Sequence, residues 1–88
     1  MKIFIGNLGN EITNDDIKTL FQQYGEVRDS CVAKDDEGNN RGFAYVLMEE
    51  ATHGETAINA LNKKRFKEQF ISVSEAIHSA RFCERVTS

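Results

Sequence analysis

The chain has 88 residues, of which 40% are hydrophobic and 28% are charged, a composition typical of one small globular domain. Its 11 Lys and Arg residues against 14 Asp and Glu residues give a formal charge of −3, which by itself argues against a protein that binds a polyanion. The longest apolar run, residues 43–48, is too short to cross a bilayer, and the N-terminal residues lack the apolar core of a signal peptide.

The two cysteines, Cys31 and Cys83, lie far apart in the sequence and form no Cys-x-x-Cys motif. Without an export signal we expect both thiols to stay reduced. By the same argument we expect a cytoplasmic location, or a nuclear one for a eukaryotic source. The chain contains no proline and no Gly- or Ser-rich linker. We therefore expect one domain over residues 1–77, followed by a short tail over residues 78–88.

The apolar pattern predicts two helices and four strands. Strict alternation indicates a strand, and an apolar residue at every third or fourth position indicates a helix. In chain order the sequence predicts a strand over residues 2–8, a helix over 13–24, a strand over 27–34, a turn over 35–40, a strand over 41–48, a helix over 52–61, a polar loop over 63–69 and a strand over 70–74. Capping boxes mark both helix starts, with Thr13 and Asp16 in the first and Thr52 and Glu55 in the second.

This order of elements predicts an α+β fold, the ferredoxin-like β-α-β-β-α-β sandwich. Its four strands form one antiparallel sheet, and its two helices cover one face of that sheet. Alternation places Phe4, Phe43 and Tyr45 on the other face, on the two strands that we expect to be central. Aromatic side chains that face water indicate a partner that covers them.

The sequence lacks the residues that a metal carrier, a hydrolase or another enzyme would need. The first loop, residues 6–10, contains neither the paired cysteines of a metal carrier nor the arginine of an acyl-phosphate hydrolase. Neither His53 nor His78 has an acid, a nucleophile or a second ligand nearby in the sequence. We therefore expect no catalytic residue, no metal site, no cofactor and no enzyme activity.

Two sequence motifs resemble those of a known family. Residues 41–48 read RGFAYVLM, which closely resembles the octamer of the RNA recognition motif. Residues 3–8, IFIGNL, resemble the companion hexamer on the first strand of that family. The resemblance extends over residues 2–76 and includes the small single-motif RNA-binding proteins of bacteria. Met1 stands directly before the first strand, as expected for a complete small protein of that kind.

The resemblance implies that the chain binds short single-stranded RNA, with single-stranded DNA as a second candidate, and that it acts after transcription. Phe4 and Phe43 match the aromatics that stack on two successive bases, and Tyr45 matches the aromatic that packs against sugars. Three further residues would hold phosphates or base edges beside them: Arg41, Lys2 and Ser74. The turn at residues 35–37 is acidic where many relatives are basic, so we expect weak binding that depends mainly on stacking.

Two alternatives to RNA binding follow from the same residues. The aromatic face could be covered by the tail, through Ile77, Phe82 and Val86, or by weak self-association with a second copy. The sequence Lys64-Arg65-Phe66 also resembles the Arg-x-Phe of family members that bind peptides, although a lysine stands where the arginine is expected. The peptide alternative places the binding site in the loop at residues 63–67.

Overall fold

The computed structural model of the protein describes residues 1–38 and 40–76. The predicted tail at residues 78–88, and with it Ile77, Phe82 and Val86, lies outside the described residues. The strands are β1 (Lys2–Gly6), β2 (Val27–Lys34), β3 (Asn40–Met48), β4 (Arg65–Phe66), β5 (Gln69–Phe70) and β6 (Ser72–Glu75). The helices are α1 (Asn14–Gln22) and α2 (Ala51–Leu61).

Four of the strands form an antiparallel sheet in the order β2-β3-β1-β6, so that β1 and β3 are central, as predicted. Both helices contact the same side of this sheet, α1 against β2 and β3 and α2 against β1, β3 and β6. We call the side away from the helices the open face. This arrangement confirms the predicted ferredoxin-like α+β fold.

The core lies between the sheet and the helices. On the central strands the residues Ile3, Ile5, Ala44 and Val46 are completely buried. Because side chains alternate along a strand, the residues between them must lie on the open face. The pattern of buried residues therefore determines which side chains the sheet presents to solvent.

The capping box predicted for α1 is confirmed. The Thr13 N–H donates to Asp16 Oδ2 (3.0 Å), and the Asp16 N–H donates to Thr13 Oγ1 (3.2 Å). The hydrogen bond from the Thr13 backbone is the main cause that lowers the pKa of the Asp16 carboxyl below its usual value of 3.8. Lys67 Nζ, 3.4 Å from Asp16 Oδ1, lowers this pKa further.

The capping box predicted for α2 was wrong. This helix begins at Ala51, and its N-cap residue is Glu50, which makes no side-chain capping hydrogen bond. The Gly54 N–H already donates to the Glu50 carbonyl (3.1 Å), so the first helical hydrogen bond forms two residues earlier than the sequence predicted. Thr52 consequently lies inside the first turn instead of capping it.

Residues 63–69 form a hairpin instead of the predicted polar loop. Strands β4 and β5 pair antiparallel, with Arg65 opposite Phe70 and Phe66 opposite Gln69. The two residues between these strands, Lys67 and Glu68, have φ angles of 50° and 70°. Positive φ at both central positions is the requirement of a tight type I′ turn. Phe70 therefore belongs to the hairpin, and the last strand of the sheet begins only at Ser72.

No helix in the described part of the chain is long and apolar enough to cross a membrane.

Candidate functional site

Phe4, Phe43 and Tyr45 lie together on the open face, and we call them the aromatic triad. Strand register places Phe4 directly opposite Tyr45, and Phe43 opposite Gly6. The centroid of the Phe4 ring is 5.8 Å from that of the Phe43 ring and 5.6 Å from that of the Tyr45 ring. The centroids of the Phe43 and Tyr45 rings are 6.1 Å apart. These distances are those of interacting aromatic pairs, so the three rings form one continuous apolar surface.

Gly6 allows the Phe4 ring to lie close to the sheet. A Cβ atom at position 6 would be 3.1 Å from Phe4 Cε2, which is closer than ordinary van der Waals contact, and 3.4 Å from Phe4 Cζ. The Phe4 ring therefore leans along the strand over the backbone of Gly6. This role could not be predicted from the sequence, where the residue stands only as part of the hexamer.

Arg41 lies beside the triad and contacts one of its rings. The guanidinium Cζ of Arg41 is 5.4 Å from the centroid of the Phe43 ring, within the range of a cation–π interaction. Between these two residues, Gly42 has a φ of 95°, a conformation that residues with a side chain rarely adopt. The glycine of the octamer is thus required by the backbone that joins Arg41 to Phe43.

Asn40 fixes the start of β3 to the loop after β1. Its side-chain amide donates from Nδ2 to the carbonyls of Gly9 (3.0 Å) and Ile12 (2.9 Å). Its Oδ1 accepts the N–H of Gly42 (2.6 Å). These hydrogen bonds hold the strand end that carries Arg41, a role that the sequence did not indicate.

The two other predicted site residues lie on the same face as the triad. Lys2 is opposite Leu47, two residues before Phe4 on β1, and it is partly buried. Ser74 is opposite Phe4 on β6 and is exposed. Since side chains two residues apart on a strand share a face, the structure brings all six predicted residues to the open face.

Cys31 lies on β2, the strand next to β3, and is directly opposite Tyr45. Cys31 is disulfide-bonded, so the expectation of a reduced thiol was wrong for this residue. That expectation rested on the missing export signal, which concerns the cellular compartment and not the geometry of the chain. The other cysteine, Cys83, lies outside the described residues.

The hairpin adds an exposed aromatic side chain that the sequence analysis did not assign to the site. Phe70 is 63% exposed, and among the described residues it is the one large hydrophobic residue that is exposed. By contrast, Phe66 of the peptide-binding alternative is partly buried and packs against the core. A short strand with only two paired residues leaves little sequence signal, which is why the position of Phe70 was missed.

Within residues 1–38 and 40–76, the ion pairs lie away from the triad. Arg28 Nε is 3.2 Å from Glu49 Oε1, and Lys67 pairs with Asp16 at the start of α1. The same residues contain no group of three or more His, Cys, Asp or Glu side chains that could hold a metal ion. The side chains that the structure brings to this face are the three aromatic rings, with Arg41 and Lys2 beside them.

Comparison with known proteins gives the family. The family model described as RNA recognition motif matches residues 3–72. Polyadenylate-binding protein 2 of Arabidopsis thaliana is 34% identical over 67 residues, which are 76% of this chain but 11% of that protein. The chain thus spans about a tenth of the length of this curated relative.

Solved structures agree with this comparison. The crystal structure of RNA-binding protein PG1 has a TM-score of 0.87 and 35% identity, and the match covers 92% of this chain and 99% of that chain. The Sxl-lethal protein in complex with RNA has a TM-score of 0.81 and 31% identity, covering 85% and 47% of the two chains. The family match includes most of the residues of this chain, and the chain belongs to the RNA recognition motif family.

Proposed function

We propose that the protein binds short single-stranded RNA across the open face of its sheet. Two successive bases would stack on Phe4 and Phe43, and the sugar between them would pack against Tyr45. An aromatic ring accepts any base because every base has a π face, and each stack contributes about 1–3 kcal/mol. Such a site binds RNA without a large positive charge.

The observation that carries this proposal is the mutual contact of the three rings on the two central strands. Their centroids are 5.6 to 6.1 Å apart, and all three residues are only partly buried. Aromatic surface that remains in water is unfavourable, and a stacked base removes it from water.

The polar residues around the triad would position the RNA backbone. The Arg41 guanidinium next to Phe43 is suited to a phosphate contact beside a stacked base, because Arg binds phosphate through two parallel N–H groups. Lys2 would contact a second phosphate or a base edge, and the Ser74 hydroxyl, opposite Phe4, would donate to or accept from a base edge. These contacts would select orientation more than they add affinity.

The domain over residues 1–77 would act as an RNA-binding unit and not as an enzyme. The relatives named polyadenylate-binding proteins, one of them described as cytoplasmic and nuclear, support a role in RNA handling after transcription in either compartment. Their name also supplies the first probe, oligoadenylate. Single-stranded DNA is the second nucleic acid to test.

The test is an NMR titration of the ¹⁵N-labelled protein with oligoadenylate and with a randomised single-stranded RNA pool. We expect shifts at β1 and β3 around the triad. Phe43→Ala should weaken binding by about 1–3 kcal/mol, the contribution of one base stack. Phe43→Tyr is the matched control, because it keeps an aromatic ring, and it should bind nearly as well as the wild type.

Other patterns of shifts would contradict the proposal. Shifts confined to the helices and to residues 63–67 would instead favour the peptide-binding alternative. Unchanged spectra with every RNA, together with line broadening that grows with protein concentration, would favour self-association through the open face.

A further inference from the structure

We propose that Phe70 and Arg65 form an accessory nucleotide site on the β4–β5 hairpin, which binds a nucleotide beyond the two that stack on the aromatic triad. We call this pair the hairpin patch. The inference rests on the proposed function, because it extends the same RNA strand. It assigns a role to the exposed aromatic residue that the triad does not use.

The geometry of the hairpin places the two side chains next to each other. Arg65 is directly opposite Phe70 in the antiparallel pair, and directly opposite residues share a face of a two-stranded sheet. The other pair, Phe66 and Gln69, therefore lies on the opposite face, where Phe66 packs against the core. The hairpin thus directs its aromatic and cationic pair away from the core.

Phe70 also continues the open face of the main sheet. Ile71 and Val73 are each 1% exposed, so the alternate positions Phe70, Ser72 and Ser74 lie on the side away from the core. Ser72 is opposite Gly6, the residue over which the Phe4 ring leans. Phe70 precedes Ser72 by two residues, and Ser72 is on the strand next to Gly6. The strand spacing and the rise per residue therefore place the Phe70 Cα about 8 Å from the Gly6 Cα. This gap is small enough for the next one or two nucleotides of the same strand.

Hydrogen bonds hold the hairpin against the end of β1. Asn7 Nδ2 donates to the Phe70 carbonyl (2.7 Å), and Gln69 Nε2 donates to the Asn7 carbonyl (3.2 Å). On the helical side, Lys67 pairs with Asp16 of α1. Phe70 is therefore exposed on a fixed backbone, and a base that stacks on it does not have to order a loop first.

The charge of this segment favours a nucleotide over another apolar partner. Residues 63–70 contain four Lys and Arg side chains and one Glu, a formal charge of +3 in a chain whose total is −3. Arg65 takes part in neither of the ion pairs of the described residues. An exposed aromatic ring next to an arginine offers a stacking surface and a phosphate ligand together, which is the combination that single-stranded RNA uses.

The test compares an adenylate dinucleotide with an adenylate hexanucleotide, each titrated by NMR into wild type and Phe70→Ala. We expect Phe70→Ala to weaken binding of the hexanucleotide about 5- to 140-fold, which corresponds to one base stack of about 1–3 kcal/mol. Binding of the dinucleotide should be unchanged, because the triad alone accommodates it. Phe70→Tyr, which keeps the ring, is the matched control and should bind both RNAs as the wild type does.

A second variant gives a direct signal from the patch. The chain contains no tryptophan, so Phe70→Trp introduces a single fluorophore at this position. We expect the hexanucleotide to quench its fluorescence and the dinucleotide to leave it unchanged. For the cation, Arg65→Ala should weaken hexanucleotide binding, whereas Lys18→Ala on the exposed side of α1 removes the same charge and should not.

These variants distinguish failure of the hairpin patch from failure of the proposed function. If Phe43→Ala weakens both RNAs while Phe70→Ala changes neither, the triad binds RNA and the hairpin patch does not. If Phe70→Ala weakens both RNAs equally, the residue supports the triad and holds no further nucleotide. If Phe70→Ala abolishes a self-association of the protein but leaves hexanucleotide binding unchanged, the patch binds a second copy. If the wild type binds neither adenylate nor a randomised hexanucleotide pool, both proposals fail.

Discussion

At the scale of single residues, the position of the Phe4 ring depends on the absence of a side chain at Gly6. Because a Cβ atom there would already be 3.1 Å from the ring, the branched side chain of Gly6→Val would push the ring away from Phe43. We expect Gly6→Val to weaken RNA binding by about 1–3 kcal/mol, the contribution of one stack. Valine is a favourable strand residue, so the fold should persist. Binding titrations together with thermal unfolding check both expectations.

Gly9→Ala is the matched control for this variant. A Cβ atom at position 9 would meet only the flexible Gln69 side chain, with Cγ at 3.5 Å, an ordinary contact. We expect this variant to bind RNA as the wild type does. Equal affinity of Gly6→Val and wild type would show that the close approach of the Phe4 ring to the backbone is unimportant for binding.

The sequence predicted the face of the sheet on which a side chain lies wherever the neighbouring residues on the strand are buried. Phe4, Phe43 and Tyr45 alternate with completely buried Ile, Ala and Val residues, so their common face could be predicted from periodicity alone. The roles of Gly6, Asn40 and Phe70 could not, because they depend on the position of the Phe4 ring, on the loop that meets the start of β3 and on the pairing of the hairpin. Asn40, for example, bonds to carbonyls about 30 positions away in the chain.

At the scale of elements, the two helices show which local signals are reliable. Thr13 with Asp16 predicted the start of α1 correctly, since both side chains take part in the box. Thr52 with Glu55 has a similar spacing, but α2 follows β3 after only two residues and begins at Ala51. The strand end therefore decides where this helix starts. The β4–β5 turn was missed for a related reason, because Lys67 and Glu68 are not the Asn-Gly or Asp-Gly pairs that indicate such turns.

The capping box of α1 makes stability depend on pH in the acid range. The pKa of Asp16 is lowered from 3.8 in the folded state, chiefly by the hydrogen bond from the Thr13 N–H. A lowered folded-state pKa means that the carboxylate stabilises the fold fully above pH 3.8 and that this stabilisation is lost as the pH falls through the lowered value. We expect Asp16→Asn to lower the Tm at pH 7 and the difference from wild type to shrink at the lowest pH values.

Asp15→Asn is the control for this measurement, because it removes the same charge from the same helical turn without changing the box. Its Tm should follow the wild-type pH curve more closely than that of Asp16→Asn does. Thermal unfolding followed by circular dichroism from pH 2 to pH 7 measures all three proteins. A Tm difference for Asp16→Asn that stays constant over the whole range would contradict this account of the box.

At the scale of the whole molecule, the net charge and the local charge lead to different conclusions. A total of −3 excludes a protein that holds RNA by bulk electrostatics, and we still expect weak binding. The cations nevertheless flank the proposed RNA path, with Lys2 and Arg41 at the triad and Arg65 on the hairpin. Composition alone could not predict this, because it is the sheet register and the hairpin that bring these residues to one side of the molecule.

This distribution predicts a shallow dependence of RNA affinity on salt. If two or three phosphates are neutralised, log K should fall against log salt concentration with a slope of about −1.4 to −2.1, or about 7- to 20-fold between 50 and 200 mM salt. Arg41→Gln should reduce the size of the slope by about 0.7, because it removes one phosphate contact. Lys18→Gln, which removes one charge from the helical side, should leave the slope unchanged. Titrations of a tetranucleotide at several salt concentrations measure these slopes, and a loss of several decades over this range would mean that electrostatics, and not stacking, holds the RNA.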